Sequence, residues 1–572
     1  FSEIFGTDGF PLAIHFIMFL PVLQSQADGN LAAEFLPRAM SLQIIGTYAQ
    51  TEMGHGTNVK ELETTAIYDK TTEEFIVNTP TRSAMKWWPG NLGKMSNYAI
   101  VTAQLHIEGV NRGPHNFVIQ LRSEKDHKQM KGITIGDIGP KMGISSVDNG
   151  FLALDHVRVP RKNMLMKHAK VSPDGKYTPP VHAKLNYGGM VYVRAHMIHN
   201  LARNLCAAVT IATRYSAIRR QGRVDTASSE VQILDYQTQQ YRLFPQVLLV
   251  IRKKESNKVC CQISRAFAYL FTGAETDLLP DLHGLTSGLK SVVSFEAAQA
   301  VEQCRMACGG HGFSHASGLP KLFGIVVAGC TYEGENMVML QQTARYLMKA
   351  AEKAERGEKL AYSIEFIGKK TRGQSTIGLH RGDTEMEMEA IFEALEHAAR
   401  RLIIHAYDEW EKRVKEGESR DRAWNEVTVE MNRAARIYTR LFIARSFHRR
   451  VISSPETVRS VLTDLLSLYL HYECIDMAHH LLHDGHCNGD QINFLKRSMN
   501  EDLIKLRPDA VSIVDSFDQS DRELNSVLGR RDGNVYEALF EWAKSSELNY
   551  TDVLPAVEKH IKVMLEANRA KM

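Results

Sequence analysis

Between Met190 and Gln221 the chain contains neither glycine nor proline, and this run constrains the fold more than any other stretch. A segment of that length without a breaker is read as one long helix. The stretch before it has the opposite character. TTAIYDKTTEEFIVNTPT, SNYAIVTAQLHI, HNFVIQLRS, GITIGDIGPKMG and NGFLALDHVRVP are short β-branched or apolar runs punctuated by Gly, Asn and Asp, the pattern of a compact all-β domain. After the long helix, TSGLKSVVSFEAAQAVEQCRMA and ENMVMLQQTARYLMKAAEKAE continue as helices. Strands and helices are segregated along the chain instead of alternating. That predicts an α+β multidomain architecture and argues against a Rossmann fold.

The expected order is a helical segment over 1–46, a β domain over 47–180 and a helical bundle over 181–365. A Gly-, Thr- and Arg-rich linker or mobile loop follows over 366–386, then a second helical set over 387–572. The apolar run PLAIHFIMFLPVL (Pro11–Leu23) is shorter than the ~20 residues a bilayer demands and is read as a core helix. A net charge of only +3 on 572 residues gives no reason to expect wholesale nucleic-acid binding. Eight cysteines without a CxxC pair are too sparse for a disulfide framework and favour a reducing compartment. In the histidine-rich HYECIDMAHHLLHDGHC, His479 and His483 share a helical face. With no HExxH frame they are expected to be packed or exposed, not metal ligands. There is no GxGxxG after a strand, no GxxxxGK[ST] and no GxSxG, so any nucleotide cofactor must be held in another way.

Four short constellations can carry chemistry. In TYAQTEMGHGT, Gln50, Thr51 and Glu52 end a predicted strand, Gly54 and Gly56 let a ligand approach the backbone, and Thr57 adds a hydroxyl. The same loop also suits an ordinary β-turn. In KWWPGNLGK, Trp87 and Trp88 can wall a flat aromatic group beside Gly90, or simply pack at a turn. Arg219 and Arg220 end the long helix, where they can meet phosphates or remain solvated. Finally ACGGHGF (Ala307–Phe313) precedes CTYEGEN (Cys330–Asn336). Gly309, Gly310 and Gly312 read as a flexible turn or helix cap. Glu333 then stands between an aromatic ring and a glycine, ahead of an apolar helix-like run. A carboxylate held in an apolar pocket, with its backbone N–H free, has the parts needed to remove a proton from carbon next to a carbonyl. An acid pair such as Glu333 and Glu335 beside a helix start is also a common surface feature.

Taken in order, TYAQTEMGHGT, KWWPGNLGK, RYSAIRRQ, CRMACGGHGFSHASGLP and CTYEGENMVMLQQTARYLMK resemble the peroxisomal acyl-CoA oxidases of the acyl-CoA dehydrogenase superfamily. VLGRRDGNVYEALFEWAKSSELN is similar to the oxidases' extra C-terminal helical domain, so the resemblance covers essentially the whole chain. It implies a helical N-terminal segment, a central β-barrel-like domain, a helical bundle and a second C-terminal helical domain. Family members carry further helical chain ahead of the point matching Phe1, so most of the N-terminal helical domain is expected to be missing here.

The resemblance assigns Glu333 as catalytic base. It places Thr51 and Gly90 against the flavin of FAD, with Gln50, Glu52 and Thr57 on the same loop. Arg219 or Arg220, Gly310 and Glu335 stand where the superfamily contacts FAD, partly from a neighbouring subunit, which implies a homodimer or a heterodimer with a related acyl-CoA oxidase. Tyr187 and Arg194 are expected at the acyl-CoA. The implied reaction converts acyl-CoA to trans-2-enoyl-CoA while O2 is reduced to H2O2. Ala570, Lys571 and Met572 resemble a peroxisomal address read by an import receptor. The competing expectations are an acyl-CoA dehydrogenase that passes electrons to a flavoprotein, and a catalytically silent helical scaffold.

Overall fold

The structure is a computed structural model and describes residues 10–180, 188–223, 229–247, 279–369, 373–380 and 382–571; for 188–192 and 279 it describes the backbone only. Tyr187 and Met572 lie outside the described residues.

A π-helical turn at His15–Phe19 leads into α1 (Leu20–Gln26), followed by α2 (Gly29–Met40). Asp28 caps α2 by accepting the Leu31 N–H at 2.9 Å. Phe19, Leu23, Leu31 and Phe35 form one buried cluster with Tyr98 and Ile100 of the β domain. PLAIHFIMFLPVL thus packs as a core helix, and no helix of the described residues is long and apolar enough to cross a membrane. His15 ties the segment to the sheet: its Nδ1 accepts the Gly46 N–H at 3.0 Å, and its Nε2 lies 3.0 Å from the Ala39 carbonyl.

The β domain contains β1 (Gly46–Ala49), β2 (Thr65–Asp69), β3 (Glu74–Asn78), β4 (Lys86–Trp87), β5 (Tyr98–Ile107), β6 (Val110–Gln120), β7 (Ile133–Asp137), β8 (Gly150–Leu154) and β9 (Val157–Pro160). The six-stranded sheet centres on β5, which pairs in parallel with β1 and then β2, and antiparallel with β6. β4, β8 and β7 form a second sheet. β5 is apolar on both faces for a reason set by its period of two. Ala99, Val101, Ala103 and Leu105 point into the domain's own core, while Tyr98 and Ile100 point at the N-terminal helices.

The long breaker-free run becomes α3 (Gly188–Ile218). It packs on α4 (Leu279–Ala307), which also contacts α6 (Leu319–Ala328) and α7 (Asn336–Glu355); the short α5 (Gly309–Phe313) lies between α4 and α6. α8 (Thr384–Lys415), α9 (Thr428–Ile452), α10 (Glu456–Asp476) and α11 (Gly489–Leu506) form the second helical set. One apolar cluster runs from Ala195 through Tyr438 to Val535, so the two helical sets share a core. Arg440 on α9 reaches across to Glu296 on α4 at 3.0 Å.

Two junctions place the parts. The β domain meets α6 backbone to backbone: a Cβ on Gly143 would lie 2.5 Å from the Gly324 carbonyl group. The connector stretch 373–380 is docked, because its backbone groups bond to α8, α11 and the turn before α11. Ser375 N–H donates to the His486 carbonyl at 2.8 Å, and Gln491 Nε2 donates to the Ser375 and Ile377 carbonyls at 2.8 and 3.1 Å. The histidine-rich stretch serves this junction: His486 is buried and stacks on His397, their ring centroids 3.9 Å apart.

Candidate active site

Helix α6 ends at Ala328 and α7 begins at Asn336. The chain turns between them through two left-handed residues, Glu333 at φ 58° and Gly334 at φ 100°. The second conformation suits glycine alone, and the first is costly for a glutamate. Glu335 stops the turn by capping α7: its Oε2 accepts the N–H groups of Met337 at 2.8 Å and Val338 at 3.2 Å. The acid pair therefore divides its labour. Glu335 is committed to the helix, whereas Glu333 Oε2 is buried and has no hydrogen-bond partner among the described residues. The Glu333 N–H likewise donates to none of them.

Two buried cations stand against this corner. Arg194 of α3, 5% exposed, donates from Nε to the Glu333 carbonyl at 3.2 Å. Lys290 of α4, 0% exposed, donates from Nζ to the Gly334 carbonyl and, at 2.9 Å, to Asn336 Oδ1. Burial pushes the Glu333 carboxyl above its ordinary range, and the charges of Arg194 and Lys290 oppose that rise. Burial also pushes the Lys290 ammonium down to about 8. The sequence draws no attention to Lys290 beyond one signal: three and four residues away on either side stand Thr286, Ser287, Val293 and Ser294, none of them an acid.

TYAQTEMGHGT and KWWPGNLGK come together as one surface. Trp87 N–H donates to the Thr51 carbonyl at 3.0 Å, and Thr47 Oγ1 donates to the Gly90 carbonyl at 2.6 Å. Glu52 lies beneath this surface, with a side chain withdrawn from solvent. Its carboxylate accepts Lys86 Nζ at 2.9 Å, Thr64 Oγ1 at 2.6 Å and the N–H groups of Glu63 and Thr64 at 2.8 and 2.9 Å. Glu52 thus holds the loop up, with no group left over for a ligand. The Gln50 side chain accepts the Tyr48 hydroxyl at 2.9 Å. By contrast, the hydroxyls of Thr51 and Thr57 bond to no described residue.

The tandem tryptophans also diverge. Trp87 stacks on Phe151 at 5.8 Å between centroids, whereas Trp88 is 55% exposed at φ 85°. Gly90 is pressed by the N-terminal segment: a Cβ there would sit 2.7 Å from Ile14 Cγ1. Free hydroxyls beside an open aromatic face suit the rim and flat surface of a flavin.

The remaining candidates gather at the far end of α3. Arg219 donates to the Tyr536 hydroxyl at 3.4 Å, and Arg220 to the Glu230 carbonyl at 2.9 Å. Gly310 is nearby, since Tyr215 and His311 meet ring to ring at 6.3 Å. GGHGF forms helical turn α5 instead of a flexible loop, entered through Gly309 at φ 60°, and a Cβ on Gly310 would touch nothing. At ~1.5 Å per residue, Arg219 stands roughly 37 Å along α3 from Arg194. One chain therefore brings Glu333, Glu335 and Arg194 together, but not with Arg219, Arg220 and Gly310.

Family models match along the whole chain: acyl-coenzyme A oxidase N-terminal over 2–45, acyl-CoA dehydrogenase middle domain over 47–157, acyl-CoA oxidase C-alpha1 domain over 187–348, and acyl-CoA oxidase over 387–566. The chain is 48% identical to acyl-coenzyme A oxidase acox-1.1 of Caenorhabditis elegans, over 99% of this chain and 84% of that one. It is 42% identical to peroxisomal acyl-coenzyme A oxidase 1 of Bos taurus, over 96% and 84%. The structure superposes on acyl-CoA oxidase-2 of C. elegans bound with FAD, ascaroside-CoA and ATP, with a TM-score of 0.95, 47% identity and coverage of 99% and 85%. Arabidopsis thaliana acyl-CoA oxidase 1 gives a TM-score of 0.92 at 36% identity, over 97% and 85%. With these relatives spanning every domain, including the C-terminal helical set, the chain belongs to the acyl-CoA oxidases.

Proposed function

We propose that this acyl-CoA oxidase uses Glu333 as the base that removes the α-proton of an acyl-CoA, giving trans-2-enoyl-CoA, with FAD as cofactor and O2 reduced to H2O2. The observation that carries this reading is the buried, unpartnered Glu333 Oε2 on a left-handed corner. A thioester α-proton is far too weak an acid for a solvated carboxylate. Burial strengthens the base, and the free Glu333 N–H can bond the thioester carbonyl more strongly as enolate charge develops. When bound, FAD supplies the acceptor for the β-hydride and the route of the electrons to O2. Thr51, Thr57, Gly90 and the open face of Trp88 are the residues that would hold its flavin, with Gln50 beside them.

Arg219 and Arg220, just past the C-terminal end of α3, and Gly310 in the neighbouring α5 lie too far from the Arg194 end to serve the same cofactor as Glu333 of their own chain. They would meet the FAD of a second copy or of a related oxidase, which favours a dimer. The peroxisomal relatives support a peroxisomal location, with import through Ala570, Lys571 and Met572. Replacing Glu333 by Gln tests the central reading. The variant should keep its flavin spectrum and lose anaerobic bleaching by acyl-CoA; normal bleaching would sink the assignment.

A further inference from the structure

Lys290 is wholly buried, yet among the described residues it forms no ion pair with a carboxylate. A methionine would fill a similar volume without the cost of desolvating an ammonium. What Lys290 holds is a carbonyl, that of Gly334, together with the side chain of Asn336, which is itself fixed by Ser294 Oγ at 2.9 Å. Arg194 holds the adjacent carbonyl, that of Glu333. Two cations from two different helices thus grip consecutive carbonyls of the two left-handed residues that present the carboxylate.

We propose that Lys290 and Arg194 are positioning residues for the dehydrogenation step, clamping the Glu333–Gly334 corner so that the Glu333 carboxylate stays aimed at the substrate's α-carbon. This rests on the reading of Glu333 as base. Neither cation hydrogen-bonds the carboxylate, so its oxygens remain free for the proton, while both charges lie close enough to favour its ionised form. The charged and titratable groups around the corner are Arg194 from α3, Lys290 from α4, and Cys330, Tyr332 and Glu335 from the turn itself. Of these, Lys290 alone bonds both the corner and the first residue of α7.

The test uses the FAD-loaded enzyme with Lys290→Ala, following H2O2 release across pH and recording the flavin spectrum first. The clamp predicts a kcat lowered roughly ten- to hundred-fold at nearly constant KM. It also predicts an acid limb of the kcat profile moved to higher pH, and partial recovery on adding propylamine. An unchanged kcat overturns the proposal, as does a lower kcat whose acid limb stays in place and which does not respond to the amine. If Lys290→Ala does not retain flavin, Arg194→Lys decides. It keeps a cation but alters the grip on the Glu333 carbonyl, so kcat should fall with the acid limb in place, and wild-type kcat overturns the clamp. Glu333→Gln measured alongside separates the two failures, because a silent Glu333→Gln with a wild-type Lys290→Ala removes the clamp and leaves the base.

Discussion

Glu52 and Lys86 face each other at 2.9 Å with both side chains fully withdrawn from solvent. Lys86 Nζ also donates to the Gln50 carbonyl at 3.1 Å, so the pair fastens the strand end that leads into the Thr51 loop. Burial alone would raise the Glu52 carboxyl, but Lys86 and the N–H and hydroxyl donors outweigh it and hold the group below its ordinary value.

Breaking this pair from one side strands a charge. Glu52→Gln leaves Lys86 buried without its counter-ion and should cost on the order of 3–5 kcal/mol. The readout is a lower denaturant midpoint, with flavin lost before the helical signal.

The contact between Gly143 and Gly324 leaves no room for a methyl group on either side. A Cβ on Gly324 would lie 2.8 Å from the Met142 carbonyl oxygen, a backbone atom that cannot step aside alone. Gly143→Ala should therefore cost about 1–3 kcal/mol through overpacking. A lower thermal midpoint, with faster proteolysis between the β domain and the helices, checks it.

At Gly334 the obstacle is the backbone more than the space. A Cβ would meet Met339 Cε at 2.6 Å, the flexible end of a side chain, but φ 100° disfavours any residue except glycine. Gly334→Ala should cost about 1–3 kcal/mol in local strain. Because the corner aims Glu333, kcat should fall roughly ten-fold or more while KM moves little. Steady-state H2O2 assays separate the two constants.

The raised Glu333 carboxyl has consequences for pH that run in opposite directions. As a base it must be ionised, so kcat should fall on acidification at a pH above the ordinary 4.5 of a glutamate. For stability the sign reverses. A carboxyl raised by folding binds its proton more tightly in the native state, so native stability declines as pH rises from the unfolded value through the folded one. Glu333→Gln should thus be more stable than the parent at neutral pH, with the difference vanishing below about pH 4.5. Thermal midpoints of the two proteins across that range check it.

Much of this molecule is legible in one dimension. The breaker-free run announces α3, and the β-branched, apolar run YAIVTAQLHI announces a strand; that both of its faces are buried comes from the packing. The apolar run after CTYEGEN announces α7. These are local properties, carried by propensity, period and backbone freedom. Local pattern does not reveal which of two similar residues is spoken for. Glu52 and Glu333 are both glutamates beside glycine turns, and Trp87 and Trp88 are neighbours. The fold satisfies Glu52 with four donors and leaves Glu333 Oε2 without one; it stacks Trp87 and exposes Trp88. The sequence by itself determined the order of the domains and the residue types of the site. Only the tertiary structure decided that Arg194 and Lys290, from distant helices, converge on one corner, because burial and partnership are set by which segments pack together.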